Sequence, residues 1–449
     1  MTERLVSRHN SGICDRISAN QNERSDTISD LLIRKDNKIF GGKQKMKKSK
    51  VLKTVLAITL ILALTMALGA CTKKEPAASA PPSVAPSVAP SVAPPANPAD
   101  KKYTLAFNDW GAGAEVFEWH KAEVVYYVEK VLGMKLNVAI DENNPDVTLK
   151  NVQNFIASDI DGLLMTCNPS PLLLQLGAAA KDAKLPFTVS IWTGFPEDRT
   201  KLIAENEYFL GSFEADTFTE AYMLGKIAVE DGHKTAVLIG GNIGDPAIDT
   251  RVAGFEQAFV KEGGGKILDI ARCSGPPEAK DKAAAMLSAH KDADCLYAMV
   301  GDFFPGAYDA MQELNISAKD MIVYASLCST ETSNYIKDGI IKVASGGHDL
   351  VVHLSIATMI NYLDGHQIKN EKGEALQLKV KPFLVTKDNA DDYMDTFFNC
   401  IKKDGTHVLP DEYFKTLCWR YNPNVSYKNF TDFLDKFSLE YFMELQGKK

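Results

Sequence analysis

The sequence predicts an α/β fold of two doubly wound parallel-sheet lobes, on three observations. Short apolar runs alternate with longer amphipathic ones. Several of the short runs are apolar without interruption, as strands buried on both faces are. The alternation also starts afresh after about Tyr208. Alternating strand and helix signals of this kind build parallel βα units.

The elements follow in order. YTLAF (103–107) is a strand, and 115–132 is a helix by the spacing of Val116, Trp119, Val124, Tyr127, Val128 and Val131. KLNVAI (135–140) is the next strand and leads to a helix over about 147–158. DGLLMT (161–166), a helix over 172–184 and PFTVSI (186–191) complete the first half. In the second half helix 216–230 precedes KTAVLIGG (234–241), and helix 250–262 precedes GKILDI (265–270). Helix 278–290, CLYAMV (295–300), helix 305–314 and MIVYAS (321–326) follow. Ligands of such sheets sit beyond the carboxyl ends of the strands, so the loops there carry the candidate site.

From residue 101 onward the chain is too long for one core, which rarely grows past ~250–300 residues, so two domains are expected. Lys and Arg number 50 against 58 Asp and Glu, a net charge of −8 that argues against nucleic acid as partner. The cysteines form no C-x-x-C pair, which speaks against a zinc ribbon or a thioredoxin motif. Cys400 and Cys418 could pair across a short loop, or stay as buried thiols. The histidines show no metal-ligand spacing, and neither a metal nor a cofactor is expected. GGNIGDP (240–246) lacks the lysine and hydroxyl residue of a phosphate loop, and no G-x-S-x-G nucleophile motif occurs.

Ahead of these domains lies an anchor and a spacer. Lys47, Lys48, Lys50 and Lys53 head an apolar stretch, Thr54–Ala70, that is short for a membrane span. That layout is a secretory signal over 46–70. Leu68-Gly69-Ala70-Cys71 resembles a bacterial lipobox, which implies lipidation of the Cys71 thiol and attachment to the membrane surface. Ser-Val-Ala-Pro then repeats at 83–86, 87–90 and 91–94. Proline at this density favours an extended chain of about 3.1 Å per residue, so within residues 71–101 the stretch from Thr72 to Asp100 forms a tether reaching on the order of 80–90 Å. Residues 1–45 are out of place before a signal, and GGKQK just ahead of Met46 suggests a mis-assigned start.

Six stretches, in order, resemble the type I periplasmic binding proteins, the sugar-binding receptors of ABC transporters. They are NNPDVTLKNVQNFIASDIDGLLMT, LPFTVSIW, LGSFEADTFTEAYMLGKIA, TRVAGFEQAF, MVGDFFPGAYDAMQELNI and ETSNYIKDGIIKVASGGHD, within a match over about 102–387. The resemblance implies two lobes joined by a three-strand hinge that close on a ligand. It allots 102–205 plus 327–365 to the N-terminal lobe and 206–326 plus 366–395 to the C-terminal lobe. Residues 396–449 extend past the usual family end, without an assigned role.

Sugar sites combine aromatic faces with groups that hydrogen-bond hydroxyls. The first strand-end loop offers Asn108, Asp109, Trp110 and Phe117, and the third offers Asn168. Trp119, within the helix, is assigned to the core. Trp192 stands where the family often has an aspartate–arginine pair. Arg251, in an R-x-x-G-F pattern, matches the family arginine that holds ring or hydroxyl oxygens, as a planar guanidinium can. Asp302 matches the acid of the family's N-D pair, but Gly301 replaces the asparagine. The family's later aspartate falls at Ser326 or Leu327, and its glutamine at Gly347 or His348.

The expectation is a monomeric, lipid-anchored receptor, not an enzyme, that passes a small polar ligand to an ABC permease. A sensory lipoprotein signalling to a membrane kinase or chemoreceptor is the alternative, and an extracytoplasmic enzyme on this scaffold a distant one. The secretion signal speaks against the related repressors.

Overall fold

A computed structural model describes residues 100–111, 115–167, 172–399, 405 and 407–449. The expected start site, signal, Cys71, most of the tether, Asn168 and Cys400 lie outside them. The described residues belong to one compact unit.

The first sheet has six strands. They are β1 (Thr104–Asp109), β2 (Lys135–Ile140), β3 (Gly162–Cys167), β4 (Phe187–Thr193), β5 (Phe209–Ala215) and β11 (Leu376–Val380). Their order is β11-β5-β4-β3-β1-β2, and all pairs are parallel. Parallel strands alternate between two cores, which is why their sequences read apolar throughout. Leu105, Phe107 and Leu164 enter one apolar cluster while Ala106, Leu163 and Met165 enter another on the opposite face. At the edge, β2 leaves Val138 exposed.

The second sheet repeats the plan with β6 (Thr235–Ile239), β7 (Lys266–Ala271), β8 (Cys295–Ala298), β9 (Ile322–Ala325), β10 (Ile341–Gly346) and β12 (Phe383–Thr386). Their order is β12-β10-β9-β8-β6-β7, and only β12 runs antiparallel. The fold class expected from the alternation is the fold observed.

Helices cover both sheets: α1 (Glu115–Val125), α2 (Pro145–Ala157), α3 (Leu172–Asp182), α4 (Pro196–Glu205), α5 (Thr217–Glu230), α6 (Pro246–Glu256), α7 (Pro276–Ala289) and α8 (Phe304–Glu313). Then come α9 (Thr330–Lys337), α10 (Val351–Leu363), α11 (Ala390–Phe397), α12 (Asp411–Thr416), α13 (Tyr427–Asp435) and α14 (Leu439–Leu445). Local chemistry sets the starts. Asn144, Asp216 and Asp245 accept from backbone N–H groups of α2, α5 and α6, donors that otherwise have no partner. Proline opens α2, α4, α6 and α7, where its missing N–H costs nothing.

The chain passes between the sheets three times: at Asp216 after β5, at Gly347 after β10, and at Lys381–Pro382 between β11 and β12. Two of the passages are tied together, because Asp216 N donates to Val380 O at 2.8 Å. Sheet membership differs from the expected allotment in three places. β5 pairs with β4 in the first sheet, β10 pairs with β9 in the second, and β11 pairs with β5 in the first. The restart of the pattern falls one strand after Tyr208, because a parallel strand must finish its own sheet before the chain crosses.

The C-terminal stretch is part of the core. Val408, Leu409, Phe414, Phe430 and Phe442 are fully buried. Trp119, assigned to the core from its helical position, is half-buried and donates to Phe397 O at 2.8 Å. Tyr127 Oη donates to Leu409 O, and Asn361 Nδ2 to Leu417 O at 2.8 Å. Arg420 grips both Asp364 oxygens at 2.7 and 2.8 Å. Cys418 is a buried free thiol whose Sγ–H points at Phe414 O, 3.6 Å away, so it is not half of a disulfide.

Candidate functional site

The carboxyl ends of both sheets border one cleft, and side chains from the two lobes already touch across it. Glu115, in the first turn of α1, accepts from the backbone N–H and the hydroxyl of Thr330 at 2.7 and 2.6 Å. Thr330 opens α9, so a carboxylate of one lobe meets the positive end of a helix of the other. Further along, a pocket with about 490 Å³ of empty space is lined by Thr193, Arg199 and Glu214 on one side and by Asp245 and Thr250 on the other. A smaller space of about 250 Å³ lies between Val116, Asp302, Ser329, His348 and Tyr393.

Several first-lobe candidates are held by scaffolding bonds. Asn108 is buried, donates to Asp141 Oδ2 at 2.7 Å and accepts from Asn151 at 3.0 Å. Asp141, from the acidic DENNPD turn, also accepts from Thr148 at 2.6 Å, and burial raises its carboxyl despite these bonds. Asp109 is buried beside His120 Nε2, 2.9 Å away, and accepts from Trp110 N at 2.9 Å. These bonds present Trp110 at the sheet end, edge-to-face with Phe117 at 4.7 Å.

Trp192 is the penultimate residue of β4, one step inside the strand rather than in the loop after it. The register explains its setting. Thr166 pairs with Ser190 but Cys167 with Thr193, so Ile191 and Trp192 bulge out of the ladder. Ile191 has φ +67°, a conformation costly for a β-branched residue. The bulge lies at a cleft-facing strand end, where Ile191 lines the pocket of about 490 Å³.

The second-lobe candidates converge on a residue that the sequence reading missed. Arg251 is buried, and its Nε donates to Glu220 Oε2 at 3.0 Å. His348 Nε2 lies 2.9 Å from Glu220 Oε1, and Ser345 Oγ donates to that same oxygen. Glu220 is wholly buried. Burial alone would raise its carboxyl, but Arg251 and His348 outweigh that and hold it far below the usual carboxylate range. Ser326 is buried against Tyr297, their hydroxyl oxygens 2.6 Å apart. Arg251, Ser326 and His348 thus come together, around an acid. A signal was available: Glu220 sits four residues before Leu224 on the face that also buries Ala221, Gly225 and Ala228. A charged residue on an apolar helical face calls for a partner.

Asp302 lines both the 250 Å³ space and the cleft edge near Glu115. Burial raises its carboxyl, Ser329 opposes this by hydrogen bonding, and Glu115 adds to it. Gly301 has a steric reason. Its N–H donates to Ser326 O at 2.6 Å, and a Cβ there would lie 2.4 Å from Leu327 O. An asparagine cannot occupy this position without moving the neighbouring strand end. Asp245 spends its carboxylate on α6, accepting from Ala247 N at 2.9 Å, so the glycine-rich loop before it is a helix lead-in.

The model of the periplasmic binding protein domain family matches residues 115–367, more than half of the chain. The chain belongs to this family. The solved structures it resembles agree in fold. A sugar-binding periplasmic protein from Pseudomonas fluorescens aligns with TM-score 0.61 and 16% identity over 76% of this chain and 99% of that one. The periplasmic component of the arabinose ABC transporter from Shewanella sp. ANA-3 aligns at 0.59 and 18% over 67% and 97%. The myo-inositol binding protein of Caulobacter aligns at 0.55 and 15% over 65% and 95%. Among curated proteins, the HTH-type transcriptional repressor PurR of Histophilus somni strain 2336 is 30% identical over 142 residues, 31% of this chain and 39% of the repressor. The chain therefore spans about two fifths of the length of that relative.

Proposed function

We propose that this periplasmic binding protein is an extracytoplasmic receptor, fastened to the membrane through lipidated Cys71, that captures a small sugar-like solute and delivers it to an ABC permease. The observation that carries the reading is the cleft between two sheet ends, crossed by Glu115 and Thr330 and lined by hydroxyls and acids. Closure of two lobes takes both faces of a ligand out of water and creates one shape for a partner to read. Arabinose in one structural relative and myo-inositol in another supply the chemistry: compact rings bearing hydroxyls. Trp110 and Phe117 would take a ring face, and Asp302 its hydroxyls; Trp192 and Asn168 complete the expected set.

The test is a thermal-shift screen of the full chain in detergent against pentoses, hexoses, polyols, nucleosides and amino acids. A ligand at 100 times its Kd adds about 2.7 kcal/mol, which moves Tm by a few degrees in a protein this size. A hit among the sugars or polyols that vanishes in Asp302→Ala supports the reading. Silence across the panel sinks it.

A further inference from the structure

At the end of the second sheet away from the cleft, three metal-binding residue types come together. β6 and β8 are neighbours in register, with Ala236 beside Cys295, so the residues around their first positions share one place. Cys295 opens β8, Asp294 stands just before it, and His233 lies in the turn between α5 and β6. A ring nitrogen of His233, an oxygen of Asp294 and the sulfur of Cys295 all lie within 4.8 Å of one another. His233 Nδ1 is 3.4 Å from Asp294 Oδ1. Zinc bonds of about 2.0–2.3 Å in a tetrahedron set ligand atoms about 3.3–3.8 Å apart, so no pair here has to close by more than about 1.5 Å.

The surroundings aim these groups. Asp294 accepts from Lys234 N at 2.9 Å and from Thr235 N at 3.2 Å, one on each oxygen, which fixes its plane and leaves lone pairs for an ion. The Tyr324 ring meets His233 edge-on at 6.0 Å, and its hydroxyl donates to Asp231. Lys342, the cation nearby, is paired with Asp231. Outer partners of this kind orient metal ligands. Cys295 is fully buried and Sγ has only a weak contact at 3.6 Å with Thr235 O, whereas His233 and Asp294 have side chains 14% and 40% exposed. An ion arriving from solvent meets the imidazole and the carboxylate first and the sulfur last.

We propose that His233, Asp294 and Cys295 form a binding site for a thiophilic divalent cation of the zinc type at the base of the second lobe. Sulfur and imidazole with one carboxylate select zinc over calcium and magnesium, which take shells of oxygen. Cys295 releases its Sγ–H proton to solvent as the sulfur–metal bond forms, and a water fills the fourth position. The ion fastens the turn after α5 to the start of β8, so its role is structural. The sequence carries no metal-ligand spacing because only strand pairing joins these donors. The site is remote from the cleft, and its fate is independent of the receptor reading.

The experiment uses the full chain in detergent, reduced and stripped with EDTA. Zn²⁺ is titrated in competition with a chromogenic chelator, and Co²⁺ serves as a spectroscopic probe. One equivalent of zinc, a Tm raised by zinc but not by calcium or magnesium, and a thiolate-to-cobalt charge-transfer band are expected. His233→Gln and Cys295→Ala are each expected to weaken zinc by on the order of 100-fold or more, beyond the roughly 10–100-fold of losing an outer partner. Cys295→Ala should also abolish the cobalt band. His233 is partly exposed, so its variant carries the test if the buried cysteine cannot be changed without unfolding. No stoichiometric zinc in the wild type overturns the inference. So does undiminished zinc affinity in a folded His233→Gln protein, or a cobalt–thiolate band that survives Cys295→Ala.

Discussion

Two buried carboxylates in this molecule do the same task with different partners. Glu220 sits between Arg251 and His348 beside the cleft, whereas Glu123, on α1, sits between His353 and His407 away from it. Glu123 reaches His353 Nε2 at 3.1 Å and His407 Nδ1 at 2.7 Å. It thereby fastens α1 to α10 and to the C-terminal stretch, and Tyr126 stacks on His407 at 3.3 Å. Burial works against both carboxylates, and in both the basic partners win, leaving the acid lowered. The difference lies in where the positive charge comes from. A guanidinium keeps its proton under any condition the fold survives, but an imidazole holds its second proton only conditionally. His353 presents both ring nitrogens to oxygens, Leu350 O at 3.0 Å and Glu123 at 3.1 Å. The cleft-side acid has one permanently charged partner, Arg251, whereas both partners of the rear acid are imidazoles.

The largest expected effect breaks the cleft-side cluster. Arg251→Ala leaves Glu220 buried and without its strongest partner and should cost about 3–5 kcal/mol in urea denaturation. A loss below about 1 kcal/mol would show that the two clusters do not differ as argued. Next comes Glu123→Gln, which removes charge-assisted bonds to two histidines and should cost about 2–3 kcal/mol. His407→Ala should cost less, about 1–2 kcal/mol, because Glu123 keeps His353.

The acid limb sharpens the comparison further. Both glutamates are lowered from an ordinary 4.5, so each contributes stability that is complete above that value and is lost as pH falls below it through the folded value. Unfolding free energy measured from pH 6 downward should therefore decline below about pH 4.5 in the wild type, and less steeply in Glu123→Gln. Equal slopes in the two proteins would refute the assignment to Glu123. The smallest effect is expected for Glu115→Gln. Stability should change by under about 1 kcal/mol, while small-angle scattering should report a wider ligand-free form, since one cross-cleft bond is weakened.

How far the sequence could be read depends on the range of the signal. Strands such as YTLAF announced themselves because burial on a sheet imposes a pattern over neighbouring residues, and that stretch overlaps β1, which is buried from Leu105 to Asp109. β5 and β10 were harder to allot, since sheet membership is decided by pairing with residues far along the chain. The site followed the same rule. Arg251, Ser326 and His348 were placed near one another by resemblance. Glu220, the acid that binds two of them, lies on a different helix, and no local pattern names a partner 31 residues from Arg251. Gly301 shows the converse, a visible departure whose cause, the carbonyl of Leu327, appears only in three dimensions. The C-terminal residues carried aromatic content but no period that revealed their place.

That C-terminal stretch has a mechanical consequence. It is bolted to the first lobe through Trp119, Tyr127 and Arg420, and to the second through Tyr393, whose hydroxyl donates to Cys328 O at 2.8 Å, and through Phe397 and Phe437 against Phe383 of β12. A jaw hinged at three points and strapped behind can gape only as far as the strap gives. Travel in this receptor is rationed by the tail of its own chain, and the tail's aromatic seams are where a wider opening would have to start.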